Sequence, residues 1–306
     1  MSTSLSAWMA GARPRTLPAA VAPILAGTAS AAAGTGIIGP WDDGTVTLGP
    51  REILIAALCL AVALALQVGV NYANDYSDGV RGTDDERVGP TRLVASGLAS
   101  PQAVKAAAFV SFGVGAVAGV GVVALSGQWW LLLVGAACIV AAWFYTGGKK
   151  PYGYLGLGEL MVFVFFGLVA TVGTAYVICG AAPLHAWLAG TAVGALASAI
   201  LVANNLRDIE TDRVAGKMTL PARLGDRNAR LFYAGLCGLA GLAVVVFAAL
   251  TTWFALVALV AVVLLIDPLR RVLGGALGRD LIPVIQATGF AEIGVGLGLL
   301  VGVLVG

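Results

Sequence analysis

Charge is the scarcest thing in this sequence: only 11% of its residues are Asp, Glu, Lys or Arg, against about 25% in an ordinary soluble domain. Histidine is almost absent too. The one present, His185, begins an apolar run whose other end carries the second acidic stretch, so it is expected on the outer side, which argues against histidine-based triads or acid–base pairs there. The four cysteines, Cys59, Cys138, Cys179 and Cys237, each sit alone in an apolar run. No CxxC or Cys/His spacing exists, so neither a disulfide framework nor a zinc site is expected. No basic, aromatic-interleaved stretch is present, so nucleic acid is not expected as a partner.

What is abundant is hydrocarbon. Hydrophobic residues make up 59% of the chain and the mean hydropathy is +0.93. A membrane helix needs about 20 mainly apolar residues, and nine such runs are predicted, near 16–36, 52–73, 103–125, 129–146, 157–179, 185–204, 229–250, 252–269 and 281–305. The first follows Arg13 and Arg15 as a signal peptide would. Pro14, Pro18 and Pro23 punctuate it and a second span follows at once, so it is read as a retained helix. The expectation is a single all-α, polytopic domain over 1–306, embedded in the lipid bilayer.

The basic residues test that count. With nine spans, Lys and Arg gather at the N-terminus and after spans two, four, six and eight; of the 18, only Arg51 falls on the other side. Positive residues mark the cytoplasmic side, so the N-terminus is expected in the cytoplasm and the C-terminus outside the cytoplasmic (inner) membrane.

The few acids are not scattered. Two clusters hold seven of the 16, NDYSDGVRGTDD at 74–85 and NNLRDIETD at 204–212, one after span two and one after span six. Asp75 and Asp78 are three apart, and Asp208 and Asp212 four apart, so each pair shares a face if the helix continues. Where water is partly excluded, like charges 4 Å apart repel by ~4 kcal/mol, and something must compensate. Carboxylates with Asn74, Asn204 or Asn205 carbonyls suit a hard cation such as Mg²⁺, which takes one or two carboxylates and shares its other positions with phosphate oxygens and water. Solvated loop acids or helix caps would explain one cluster; two on one side of a membrane protein are harder to dismiss. Each is followed by a glycine, a nearby threonine and a basic residue (Gly89, Thr91 and Arg92; Gly216, Thr219 and Arg223), which suggests an internal repeat of four-helix units, about 16–146 and 157–269. Acids to hold metal, then bases to take phosphate charge, is the layout a metal-diphosphate site needs.

These stretches resemble the two aspartate-rich motifs of the UbiA superfamily of intramembrane prenyltransferases. Further segments are similar to its 1,4-dihydroxy-2-naphthoate branch in menaquinone synthesis. They are Arg13 to Pro18, Gly89 to Gly97, Tyr145 to Gly148 with Pro151 to Tyr154, Gly156 to Glu159, and Asp212-Arg213 with Gly216-Lys217 and Thr219-Leu220. The general first motif has a third Asp where Gly82 stands; here Asp84 and Asp85 come later, a shift the naphthoate branch shares.

The resemblance implies a helical bundle around a cytoplasm-facing cavity. There two Mg²⁺ would bridge a polyprenyl diphosphate, held by Asn74, Asp75, Asp78 and Asp84 and by Asn204, Asp208 and Asp212. Asp75, Asp78, Asp208 and Asp212 would be the catalytic carboxylates. Arg13, Asn71, Arg81, Arg92, Tyr145, Lys150, Tyr152, Asn205, Arg207 and Lys217 would bind substrate. Tyr72, Trp143, Phe144 and Tyr145 are expected near the mouth, to face a cationic carbon or simply to pack. Glu159 and Glu292, acids within spans, are assigned no role. Rival readings are another acceptor such as 4-hydroxybenzoate, a cation transporter, which would place acids near midplane on broken helices, and a CDP-alcohol phosphotransferase, whose compact Asp-Gly/Ala-Arg pattern is absent.

The charge split yields a direct test of topology. Cysteines introduced at 126–128 and 180–184 should react with an impermeant maleimide on intact cells, and those at 84–88 and 214–218 only after permeabilisation.

Overall fold

The computed structural model describes residues 4–34, 48–82 and 92–306; Asp84, Asp85, Arg87 and Gly89 lie outside them. Among the described residues all regular structure is helical. Seven helical segments are long and apolar enough to cross a membrane: α2 (Pro50–Arg81), α3 (Pro101–Ser126), α5 (Gly158–Cys179), α6 (Leu184–Arg207), α7 (Asp226–Leu250), α8 (Trp253–Leu273) and α9 (Gly278–Val305). Two shorter apolar helices, α1 (Pro18–Ala32) and α4 (Leu131–Phe144), occupy the first and fourth runs expected from hydropathy. The chain is therefore a multi-pass membrane protein.

Local chemistry sets the ends. Pro18, Pro50 and Pro101 open their helices, where a missing N–H costs nothing. Ser100 caps α3 by accepting from the Ala103 amide at 3.2 Å. Gly82, Gly127 and Gly180 close α2, α3 and α5 in the left-handed conformation, which only glycine enters freely. At 1.5 Å per residue the 32 residues of α2 span about 48 Å. The hydrocarbon core is about 30 Å thick, so this helix is longer than an upright crossing needs.

The core is built from small residues. Helices α1, α6, α7 and α9 meet through Ala22, Ala26, Ala192, Ala195, Ala240 and Ala291, which let backbones approach closely. A Cβ on Gly27 would stand 2.4 Å from the Thr171 carbonyl oxygen, and one on Gly296 2.7 Å from that of Ala22. A second apolar cluster, with Tyr72, Leu93 and Phe112, joins α2 to α3. Between the two assemblies lies a cavity of about 1200 Å³, lined from α1, α2, α4, α5, α6 and α9. In α5 the residues Phe163–Val169 form a π-helical turn, and its Phe165, Phe166 and Val169 face this cavity.

Gly27→Ala should overpack the α1–α5 contact by about 1–3 kcal/mol and lower the melting temperature of the detergent-solubilised protein. Gly113→Ala on α3, whose added Cβ meets nothing within 4 Å, should leave it unchanged or raise it, through the helix propensity gained.

Candidate active site

The far end of the cavity is apolar, with Val122, Leu131, Val134 and Val177; the near end is polar, with Asn71, Asn74, Asp78, Asn204, Asn205 and Lys217. Both acidic clusters meet there.

On α2, Asn71, Asn74 and Asp78 follow the helical period and face the cavity. The Asn71 amide donates to the Ala12 carbonyl at 2.8 Å and to Thr16 Oγ1 at 2.9 Å, and Gln67 donates to the same hydroxyl at 2.8 Å. These bonds seat the segment that carries Arg13. Arg13 adopts φ +52°, a strained conformation for a side chain with a Cβ, and lines the cavity. Asn74 Oδ1 accepts from Thr146 at 2.8 Å, and Asp78 Oδ1 from the Tyr154 hydroxyl at 2.7 Å. Asp75 behaves differently. It is fully buried, does not line the cavity, and accepts the Leu93 and Val94 amides at 2.8 and 3.0 Å.

In the second cluster the helix does not continue unbroken. Helix α6 stops at Arg207, and Asp208, at φ −104°, caps a new short helix over Ile209–Val214. Its carboxylate takes two hydrogen bonds of 2.7 Å from Arg207, a bidentate pair that draws the side chain back along the chain. Asp212 is buried with Lys217 Nζ at 3.7 Å. Asn204, Asn205, Arg207 and Lys217 line the cavity; Asp208 and Asp212 stand behind them. The Asn205 amide donates to Glu159 Oε1 at 2.8 Å, so this acid within α5 orients a cavity-lining amide.

Tyr154, which the motif reading left without a role, joins the halves. Its hydroxyl holds Asp78, its carbonyl accepts the Met218 amide at 3.1 Å, and its ring lies 5.4 Å from both the Arg81 guanidinium and Lys217 Nζ. Thr146, Thr16 and Gln67 were likewise missed. The aromatic and small-residue signature of 145–154 and the Arg13 to Pro18 segment pointed toward this region without marking these residues.

The other expected residues divide. Arg92 and Tyr145 line the cavity, as does Tyr152, whose hydroxyl donates to the Ala141 carbonyl at 2.8 Å. Burial pushes the Tyr152 phenol up to about 12, so it stays a neutral donor. Arg81 is a loop staple, donating to the carbonyls of Thr146 and Gly148. Lys150 is exposed and does not line the cavity. Of the aromatic residues expected at the mouth, Tyr145 lines the cavity, while Tyr72 donates to the Trp8 carbonyl at 2.9 Å. Trp143 packs against Phe109 of α3 and Tyr76 of α2, and Phe144 is exposed. His185 bonds the Ser30 carbonyl at 2.9 Å, apart from the clusters.

Among the described residues no three acids, histidines or cysteines gather closely enough to hold a metal unaided. The donors at the polar end are carboxylates and amide carbonyls, hard oxygens that suit Mg²⁺ when phosphate oxygens and water complete its shell.

The model of the UbiA prenyltransferase family matches residues 20–273. Over 290 residues the sequence is 51% identical to the 1,4-dihydroxy-2-naphthoate octaprenyltransferase of Mycobacterium tuberculosis, covering 95% of this chain and 94% of that protein. The Escherichia coli protein of the same name is 40% identical over 236 residues, 75% and 72% of the two chains. The fold is similar to the apo structure of a UbiA homolog from Aeropyrum pernix K1, with a TM-score of 0.68 at 17% identity over 95% and 97% of the chains. It is also similar to an Archaeoglobus fulgidus homolog bound to DMAPP and Mg²⁺, with a TM-score of 0.58 at 16% identity over 96% and 99%.

Glu159→Ala should leave the Asn205 amide without its acceptor, a cost of about 1–3 kcal/mol visible as a lower melting temperature. Glu159→Gln keeps an acceptor oxygen there and should recover most of the loss.

Proposed function

This chain belongs to the UbiA prenyltransferase family, and on that footing we propose that it transfers a polyprenyl group from polyprenyl diphosphate to 1,4-dihydroxy-2-naphthoate. Diphosphate and carbon dioxide leave, and the product is a demethylmenaquinol of the menaquinone pathway. One observation carries the reading: a single cavity is apolar along its length and polar at one end, where both acid clusters and their bases converge.

The polar end suits a diphosphate. Asn74 and Asp78 on one side and Asn204 on the other line this end and would hold Mg²⁺, two ions in our reading; Asp208 and Asp212, behind them, would join by exchanging Arg207 and Lys217 for the metal. When bound, the metal neutralises diphosphate oxygens and makes the group a better leaving group. The Archaeoglobus fulgidus homolog, bound to DMAPP and Mg²⁺, supports this assignment. Arg92 and Lys217 reach the same end and balance remaining anionic charge; Arg207 holds Asp208 in place. The apolar length takes the prenyl tail and keeps water from the allylic carbon as the C–O bond to diphosphate breaks. Phe165, Phe166, Tyr145 and Tyr152 line the walls, and their faces stabilise positive charge.

The electron-rich naphthoate ring then attacks at the carbon bearing its carboxylate. The new C–C bond forms, the C–CO₂ bond breaks, and its electron pair returns to the ring, restoring aromaticity. We place the N-terminus and the site on the cytoplasmic side of the cell membrane and the C-terminus outside, following the basic residues.

Purified protein given Mg²⁺, a long polyprenyl diphosphate and the naphthoate should release one carbon dioxide per prenyl group transferred. Excess chelator should abolish turnover, and Asp78→Asn and Asp212→Asn should each lower it by about 10²-fold or more in protein that remains folded. Full activity in chelator overturns the metal assignment. Prenylation of 4-hydroxybenzoate with its carboxylate retained, and none of the naphthoate, overturns the acceptor.

A further inference from the structure

Asp75 stands in the middle of the first motif, yet it does not serve the cavity. Within this motif the cavity-facing residues are Asn74 and Asp78, one helical turn apart, and Asp75 is rotated about 100° from Asn74. Its side chain is fully buried, and both carboxylate oxygens are taken: Oδ2 accepts from the Leu93 amide at 2.8 Å and Oδ1 from the Val94 amide at 3.0 Å.

Those two amides open a compact turn. It is closed by the Ser96 amide to the Arg92 carbonyl at 3.1 Å and the Gly97 amide to the Val94 carbonyl at 3.0 Å. The first N–H groups of such a turn have no partner within it, and a carboxylate can accept two at once. The turn is also seated by packing. A Cβ on Gly79 would come within 2.6 Å of the Val94 Cβ, and one on Gly11 within 2.7 Å of Leu93 Cδ1. Fixed from behind in this way, the turn presents Arg92 and Ala95 to the cavity.

We propose that Asp75 is a positioning residue: its carboxylate clamps the Leu93–Val94 backbone and so holds Arg92 at the polar end of the cavity, where it meets the diphosphate. It is not a metal ligand, contrary to what the motif suggests. The proposal rests on the prenyl diphosphate reading above and refines which acids of the first cluster act on metal.

The test uses the full chain carrying Asp75→Asn, Asp78→Asn or Arg92→Ala, with rates measured against Mg²⁺ and against the prenyl diphosphate. Asparagine offers one acceptor oxygen where Asp75 offers two. Asp75→Asn should therefore raise the KM for the diphosphate at least tenfold and leave the half-activating Mg²⁺ concentration within twofold of wild type. Asp78→Asn should raise that Mg²⁺ concentration at least tenfold. Added to Arg92→Ala, Asp75→Asn should raise the KM by less than a further threefold, because both changes remove one function. A Mg²⁺ shift in Asp75→Asn as large as that in Asp78→Asn overturns the proposal. If the wild type neither needs Mg²⁺ nor accepts a prenyl diphosphate, the functional reading fails instead. Hydrogen exchange then judges the clamp alone: Asp75→Ala should speed exchange across 92–99 at least tenfold and leave 204–212 at the wild-type rate. Wild-type rates at 92–99 overturn it.

Discussion

Carboxylates gathered beside hydrocarbon repel one another and lose hydration together, and they stay ionised only where opposite charge or hydrogen-bond donors stand among them. Much of the polar end of this molecule answers that constraint. Arg207 forks onto Asp208, Lys217 approaches Asp212, the Tyr154 hydroxyl supports Asp78, and two backbone amides satisfy Asp75. Because partners come from distant parts of the chain, satisfying the acids also ties the loops together. The 145–154 loop is held to α2 through Asn74, Asp78 and Arg81, and to the second cluster through Tyr154 and Met218.

The apolar body was legible because the bilayer leaves few choices. Lipid demands internal hydrogen bonding of the backbone, so hydropathy alone located runs that match α3, α5, α6, α7, α8 and α9 within a few residues, and the start of α2, which continues eight residues past its run to Arg81. The shortness of α1 and α4 was not legible. Pro18 opens α1, but Tyr145 is as compatible with a helix as its neighbours, and tertiary bonds fix the segments beyond: Thr16 is bonded by Asn71 and Gln67, and the Tyr145 carbonyl by the Gly153 amide.

For the site, the spacing of acids correctly marked which segments meet. It did not reveal which way each acid faces. Asp75 and Asp78 read alike in sequence, but their partners lie at Leu93 and Tyr154, 18 and 76 positions away, and nothing local announces either. Asp208 misled for a related reason. The shared face with Asp212 was read on the condition that the helix continues, whereas α6 ends at Arg207 and Asp208 pairs with that neighbour. Tyr154 and Glu159 were visible as residues but not as joints, since their importance lies in what they bridge.

The π-helical turn at Phe163–Val169 has an evolutionary consequence. Such a turn is an α-helix accommodating one surplus residue. Deleting a single position there would restore a regular helix and rotate everything beyond by about 100°. Glu159 before the turn meets Asn205, and Thr171 and Thr174 after it abut Gly27; a straightened helix can satisfy one set but not both. A one-residue gap at this place in an alignment of relatives would thus signal a reshaped cavity wall, a larger change than any substitution nearby.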